Sequence, residues 1–490
     1  MKSPLVIYWS RRDFRLRDNE ALLEAITYSK TKNIPFLPLF ILEEYMTQGE
    51  EFGYSSQYMI AEAIPSFAKQ FTRFAVVHYK GAGYFDLLSK KYNLYIFVND
   101  DVYPDFNTQI KKLERNNIQV HVYKDRVTVK KDTETGSGNL YSVFTPFKNA
   151  VWNEFVRSAP LPKADASSCT HISKNEFESL PHSISPTDIK KLCDKEPMVH
   201  IGKHTLKIPH KPNLSIWYTN EEDALNHFKS FIKKDGISGY KEKRDSLEED
   251  TVGSGQTSKM SVALAWGFVS ARTLVHEIQK HFDDAFEIST QDEEHNEGAL
   301  CYISELIWRE FYGYLLFNHP ELMHTEFQKK FRGTISWVKD DIALVRFKAW
   351  IMGETGYPIV DAAMKQLAET GWMHNRARMI VASVLTKNFG VDWRWGQEYF
   401  RAMLIDLDEA SNNGGWQWGA SVGADPKPIR IFNAELQAES HDKTGAYREK
   451  WLGQDGFMQR PLSAPIIDHK IAREEALERY NLKHVKPRDF

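Results

Sequence analysis

A chain of 490 residues is too long for one ordinary hydrophobic core and implies two or three domains. Its 42% hydrophobic and 26% charged residues describe a globular protein, and a net charge of −3 excludes bulk electrostatic attraction to nucleic acid. Contact with a polyanion therefore needs a local basic face. Three cysteines (Cys169, Cys193, Cys301) form no CxxC pair, which points to a reducing compartment and away from a zinc site; no metal is expected.

The opening MKSPLVIYWS reads as a strand, not as a signal sequence, and no long apolar run suggests a membrane span. A cytoplasmic monomer with no membrane partner is expected. Apolar runs at 5–9, 36–42, 74–79, 94–98 and 119–123 alternate with helical patterns at 21–30, 55–71, 84–91 and 105–116. Continuous apolar strands separated by helices predict a doubly wound parallel α/β domain over residues 1–125. KGAGYFD (80–86) lacks a full dinucleotide fingerprint and reads as a tight turn. Residues 126–220 are rich in Pro, Ser, Thr and Lys, lack periodicity and are expected to be an interdomain connector. From 221 to 490 the pattern is helical, as at 222–234, 299–319, 357–369 and 377–389, which predicts an all-α domain. Two acidic segments, 246–256 and 289–297, are expected to be solvated loops.

Eight of the 13 tryptophans fall between Trp308 and Trp418. In SELIWREFY (304–312), Glu305, Trp308, Arg309 and Tyr312 share one helix stripe. The stripe reads either as an internal Glu305–Arg309 ion pair or as a pocket wall, with Trp308 stacking on a planar ligand and Glu305 bonding its edge. GWMHNRARMI (371–380) places donors at a helix start, where His374 is either a core histidine or a ligand. In LIDLDEASNNGGWQW (404–418), Asn412 and Asn413 offer amides, and Gly414 and Gly415 let the backbone approach a ring closely. In GQTSKMSVALAWG (255–267), Thr257 and Ser258 read as helix N-caps, with or without a phosphate.

These pieces occur in an order that resembles the photolyase/cryptochrome flavoproteins, and among them the class I cyclobutane pyrimidine dimer photolyases. RRDFRLRDNEAL (11–22), ELIWREFY, TGYPIVDAAMKQL, TGWMHNRARMI, DWRWGQEYF and NNGGWQWGAS carry the resemblance over nearly the whole chain. It implies an α/β domain joined to a helical FAD-binding domain. The implied reaction is light-driven: excited, reduced FAD gives an electron to a pyrimidine dimer flipped out of UV-damaged DNA, and the cyclobutane ring splits.

The resemblance also implies roles for residues. Tyr240, Thr257, Ser258, Lys259, Met260 and Ser261 would hold the flavin phosphates and ribityl chain, with Tyr302 and Arg309 beside the cofactor. Arg378 and Asp406 would pair beside the isoalloxazine ring, Asp408 would meet its edge and Asn412 would face N5. Glu305, Trp308, Asn375, Met379 and Trp418 would form the dimer pocket. Arg244, Arg376 and Gln437 would reach the DNA backbone, and Trp416, Trp393 and Trp337 would pass electrons to the flavin. Asn412, and Asn375 after His374, favour a cyclobutane dimer photolyase over the alternative of a cryptochrome-type blue-light photoreceptor, or over a photolyase with a histidine pair.

The chain departs from the family's TSRLSP run at Lys259, Met260 and Val262, has the insert LEEDTVGSG, and has Tyr302 where Trp or Phe is usual. Asp105 and Phe106 stand where some members carry a folate-contacting Asn-Glu pair, and GYSSQYM (53–59) lacks an expected arginine. A folate antenna is therefore not expected; a deazaflavin, another flavin or no antenna remain open.

Overall fold

The computed structural model describes residues 2–48, 52–102, 104–116, 118–125, 128–129, 132–193, 198–208, 211–234, 236–248, 256–282, 293–425, 429–453 and 465–482. Residues 249–255 of the insert LEEDTVGSG and of the first acidic segment, and 289–292 of the second, lie outside these residues.

The five apolar runs form strands β1 (Ser3–Ser10), β2 (Phe36–Leu42), β3 (Ala75–His78), β4 (Tyr92–Asn99) and β5 (Gln119–Tyr123). They make a parallel sheet ordered β5-β4-β1-β2-β3, with Ile7 opposite both Leu37 and Ile96. All seven residues of β2 are buried, as expected of a strand covered on both faces. The covering helices Glu20–Lys32, Tyr54–Ala68, Gly83–Leu88 and Pro104–Arg115 sit where the periodicity places them.

The segment read as an interdomain connector carries secondary structure that packs on both halves. Strand β6 (Ser183–Ile184) pairs antiparallel with β3 and closes one sheet edge. A further hairpin, β7 (Met198–Ile201) with β8 (His204–Lys207), follows. A helix spans Phe144–Arg157, with Phe144, Phe147, Val151 and Phe155 buried. Spacings of three and four make this an apolar stripe, hidden in the sequence by Pro146 and the polar residues around it. The stripe packs on the long helix Glu293–Asn318: Phe147 lies 4.9 Å from Tyr314 and 5.2 Å from Phe311 between ring centroids.

No strand follows Lys207 among the described residues, and helices fill the rest. The long helix begins at Glu293, inside the expected acidic loop. The pattern at 377–389 is not one α-helix. An α-helix covers Asn375–Ser383, and a π-helical turn, Val384–Asn388, continues it. Among the described residues, no helix is long and apolar enough to cross a membrane.

Candidate active site

A cavity of about 610 Å³ lies within the helical domain. Its lining gathers residues from five separate stretches of sequence: 240–245, 257–265, 302–312, 372–382 and 400–418. Every site residue inferred from the sequence lines it except Trp393, Trp337 and Gln437. Gln437 is buried on the helix Ala434–His441 and does not join the others.

The cavity is graded in depth. Ser258, Lys259, Met260, Tyr302, Asp406 and Asn412 are buried, whereas Glu305, Trp308, Met379 and Trp418 are half-buried and Asn375 is exposed. In the buried part, Arg378 Nη2 donates to Asp406 Oδ2 at 2.7 Å, and its Nε donates to the Met373 carbonyl at 2.8 Å. The second carboxylate oxygen, Asp406 Oδ1, has no hydrogen-bond partner among the described residues. Asn412 donates to the Gln397 carbonyl at 3.2 Å, while its Oδ1 is likewise buried without a partner. Leaving a buried acceptor unmatched costs about 1–3 kcal/mol. Two such acceptors lining one cavity suit a ligand that brings N–H or O–H donors.

Asp408 serves the backbone as well as the cavity. It caps the helix Glu409–Gly419 by accepting from the Ser411 amide at 2.9 Å. Arg309 Nε lies 3.9 Å from it. Ser258 is not the expected helix cap. The next helix, Ser261–Trp266, has Met260 at its N-cap with no side-chain bond. Ser258 Oγ instead meets the Tyr302 hydroxyl at 2.8 Å and accepts from the Met260 amide at 3.3 Å. Tyr302, unlike Trp or Phe, thus places a hydroxyl within reach of this turn. Lys259 adopts a left-handed backbone (φ 52°), and its ammonium lies 4.9 Å above the Trp372 ring.

Toward the exposed part, Glu305 pairs with Arg244, not with Arg309 as its helical spacing allowed. Burial alone would lower the Arg244 guanidinium, but Glu305 and then Tyr240 outweigh it and raise it. Arg376 donates to Asp245 Oδ2 at 2.7 Å. Burial pushes Asp245 up, and the Arg376 bond and charge more than reverse that, holding the carboxyl below its usual range. Both arginines expected to face DNA are therefore held by carboxylates within the chain. His374 is a helix cap: buried, it accepts from the Arg376 amide at 3.1 Å through Nδ1 and starts Asn375–Ser383. Trp308 is stacked face to face on Phe144, 3.6 Å between centroids and 8° between planes. That contact crosses from the supposed connector and was not read from the sequence.

Within SNNGGWQWGAS, residues 411–419 are helical. Two residues apart on a helix is roughly 200°, so Trp416 and Trp418 leave on opposite sides. Trp416 is buried, with Phe400 at 5.0 Å and Trp350 at 6.0 Å between centroids. Trp418 is half-buried, with Arg430 5.1 Å above its ring. The paired glycines divide differently from expectation. A Cβ on Gly414 would lie 2.1 Å from Tyr312, so that glycine admits a neighbouring side chain; only Gly415 lines the cavity. The sequence reading also missed Gly396, where a Cβ would fall 2.0 Å from the Trp416 ring. Trp393 lies one turn before Gly396 on the same helix and donates to Glu326 at 3.3 Å. Trp337 is half-buried beside Tyr480, at 6.1 Å.

Comparison with known proteins agrees with this geometry. Residues 6–165 match the family model described as DNA photolyase, and residues 302–459 match the FAD binding domain of DNA photolyase. A deoxyribodipyrimidine photo-lyase of Agrobacterium fabrum is 31% identical over 98% of this chain and 98% of its own length. One from Escherichia coli K12 is 35% identical over 71% of this chain and 69% of its own. Among solved structures, a bacterial class III photolyase from Agrobacterium tumefaciens superposes with a TM-score of 0.79 at 30% identity, over 99% of both chains. FAD fits the residues present: the unmatched acceptors of Asp406 and Asn412 suit ring N–H groups, and the buried depth of the cavity suits a large, partly apolar cofactor. The chain belongs to the DNA photolyase family, the FAD-binding deoxyribodipyrimidine photo-lyases.

Proposed function

We propose that this enzyme repairs cyclobutane pyrimidine dimers in UV-damaged DNA under blue light, and that the cavity holds cofactor and substrate in contact. The observation that carries this reading is the grading of the single cavity, with a buried acceptor-rich floor and a half-exposed aromatic rim. Reduced FAD, held by the floor residues, would lend an electron on excitation that splits the cyclobutane ring and would take it back afterwards, so that the repair is redox-neutral.

The chain's own residues bind and orient. Asp406 and Asn412 accept from the ring's donors, and Arg378 balances the buried carboxylate. Asp408 meets the ring edge while capping its helix. Trp308 and Trp418 flank the extruded bases, and their apolar faces replace the stacking lost on flipping. Phe144 backs Trp308, so the wall is stiff before substrate arrives. Glu305 hydrogen-bonds the base edge, with Asn375 and Met379 completing the pocket. Arg244 and Arg376 exchange their carboxylate partners for DNA phosphates. Trp416, Trp393 and Trp337 form the path by which the cofactor is reduced. The enzyme works as a cytoplasmic monomer.

The test is restoration of intact thymines in a thymine-dimer oligonucleotide by the reduced protein under blue light, against a dark control. Absence of light-dependent restoration would overturn the substrate assignment. Glu305→Ala should lower the repair yield several-fold while changing DNA affinity less; an unchanged yield removes Glu305 from its role.

A further inference from the structure

The five residues 404–408 join the helices Trp393–Met403 and Glu409–Gly419, and the side chains of Leu404, Asp406 and Asp408 line the cavity. The carbonyls of Met403, the last residue of the first helix, and of Ile405 and Leu407 in the turn are all taken. Ser55 Oγ donates to the Met403 carbonyl at 2.5 Å, Trp266 Nε1 to Ile405 at 2.7 Å, and Arg12 Nη1 to Leu407 at 2.9 Å. The three donors come from stretches far apart in sequence, two of them in the α/β domain. They also support one another, since the Arg12 guanidinium lies 4.8 Å above the Trp266 ring and 5.5 Å from Phe52.

The approach is too close for ordinary side chains. A Cβ on Gly53 would sit 2.2 Å from the Arg401 carbonyl oxygen. On Gly267, already in a left-handed backbone at φ +67°, it would sit 2.1 Å from the Arg12 carbonyl oxygen. The Ile405 amide is anchored from the other side, on the Gly371 carbonyl at 2.8 Å.

We infer that Arg12, Ser55 and Trp266 are positioning residues for the flavin: by holding three backbone carbonyls from outside the cavity, they set where Asp406 and Asp408 stand inside it. The inference rests on the reading that these two aspartates contact the cofactor. Carbonyls just past a helix end lack partners within that helix, and here the α/β domain supplies two of them. The domain is thereby part of the flavin site without touching the cavity.

The test uses the full chain, stripped of FAD and reloaded, with Arg12→Met, Arg12→Lys, Ser55→Ala and Asp406→Asn. In the stripped protein, Arg12→Met should speed amide hydrogen exchange across 403–410. In reloading it should weaken FAD binding about tenfold, the scale of one lost charged hydrogen bond. Arg12→Lys keeps a donor and the charge over Trp266 and should recover most of that loss. Ser55→Ala, the milder change, should move both readouts in the same direction and serves if Arg12→Met does not fold. Arg12→Met added to Asp406→Asn should weaken binding by clearly less than the product of the two single effects. Unchanged exchange at 403–410 overturns the inference, as does faster exchange with unchanged FAD affinity, or full additivity with Asp406→Asn. If Asp406→Asn itself leaves FAD affinity intact, the aspartate assignment fails first and takes the inference with it.

Discussion

Two concavities of this molecule are both lined by aromatic rings and charged groups, yet they differ in what their polar atoms do. The smaller, of about 20 Å³, opens beside β1 and β2 and is lined by Arg11, Arg12, Glu43, Asp101 and Trp266 among others. Its cations are occupied by the protein: Arg11 lies 5.1 Å from the Trp9 ring and 5.2 Å from Phe106, with Asp101 at 3.5 Å. The larger one leaves acceptors on Asp406 and Asn412 buried and unmatched. Composition does not separate the two. What separates them is the kind of unmatched atom: in the small cleft Arg11 Nε lacks a hydrogen bond but lies 3.5 Å from the Asp101 carboxylate, whereas the unmatched acceptors of the large cavity are a cost that the donors of a bound ligand remove. The adjacent arginines of the RRDF run show the same division, Arg11 serving the small cleft and Arg12 reaching the turn that carries Asp406.

The largest way to break this contrast is to strand the buried carboxylate of the large cavity. Arg378→Leu leaves the Asp406 carboxylate buried without its cation, which costs about 3 kcal/mol or more. Thermal unfolding should fall sharply and FAD should be lost on purification. Arg11→Leu, in the small cleft, should leave FAD content unchanged; loss of FAD there would dissolve the distinction. Gly396→Ala drives a methyl into Trp416 and should cost about 1–3 kcal/mol. It should also slow photoreduction of oxidised FAD, followed by absorbance under blue light; an unaltered rate would detach Trp416 from that path. Asn412→Leu removes an unmatched acceptor, so the FAD-free protein should lose little stability. The extra stability that FAD confers should shrink by about 1 kcal/mol. An equal FAD-induced rise in melting temperature would mean Asn412 does not meet the cofactor.

Much of this arrangement was legible in the sequence. Strand runs gave the sheet because apolar continuity is local, and motif order gave the cavity lining. What escaped reading was set by contacts between distant segments. Phe144 supports Trp308 across 164 positions of chain, hidden in a stretch whose polar composition masked its apolar stripe. Helical spacing offered Glu305 the wrong partner, since Arg244 arrives from another helix. Gly414 and Gly415 look equivalent as letters, yet one faces Tyr312 and the other the cavity. The carbonyls of Met403, Ile405 and Leu407 carry no side-chain signature at all, so nothing in the sequence marks them.

Lys387 supplies a third kind of buried polar group, one that is matched but held against its charge. It lies in the π-helical turn, fully buried, and donates to the Gly419 carbonyl at the end of the helix bearing Trp416 and Trp418. Burial, aided by Arg430 and opposed by Asp425, pushes its amine down to about 7. Arg479, from the helix His469–Arg479, bonds the Lys387 carbonyl at 3.1 Å and adds no acid to the site. The unfolded chain keeps this proton up to the ordinary lysine range, whereas the folded chain releases it near 7. Between those values the unfolded state binds more protons, so this residue makes stability rise with pH, by about 1 kcal/mol from pH 8 to pH 9. Below 7 both states are protonated and the full penalty of burying the charge remains. Lys387→Met removes the titration and should flatten that part of the profile, seen in denaturant unfolding at pH 7, 8 and 9 beside the unaltered protein. Parallel profiles would show that Lys387 stays protonated throughout this range, with the Gly419 carbonyl sufficient to hold its charge.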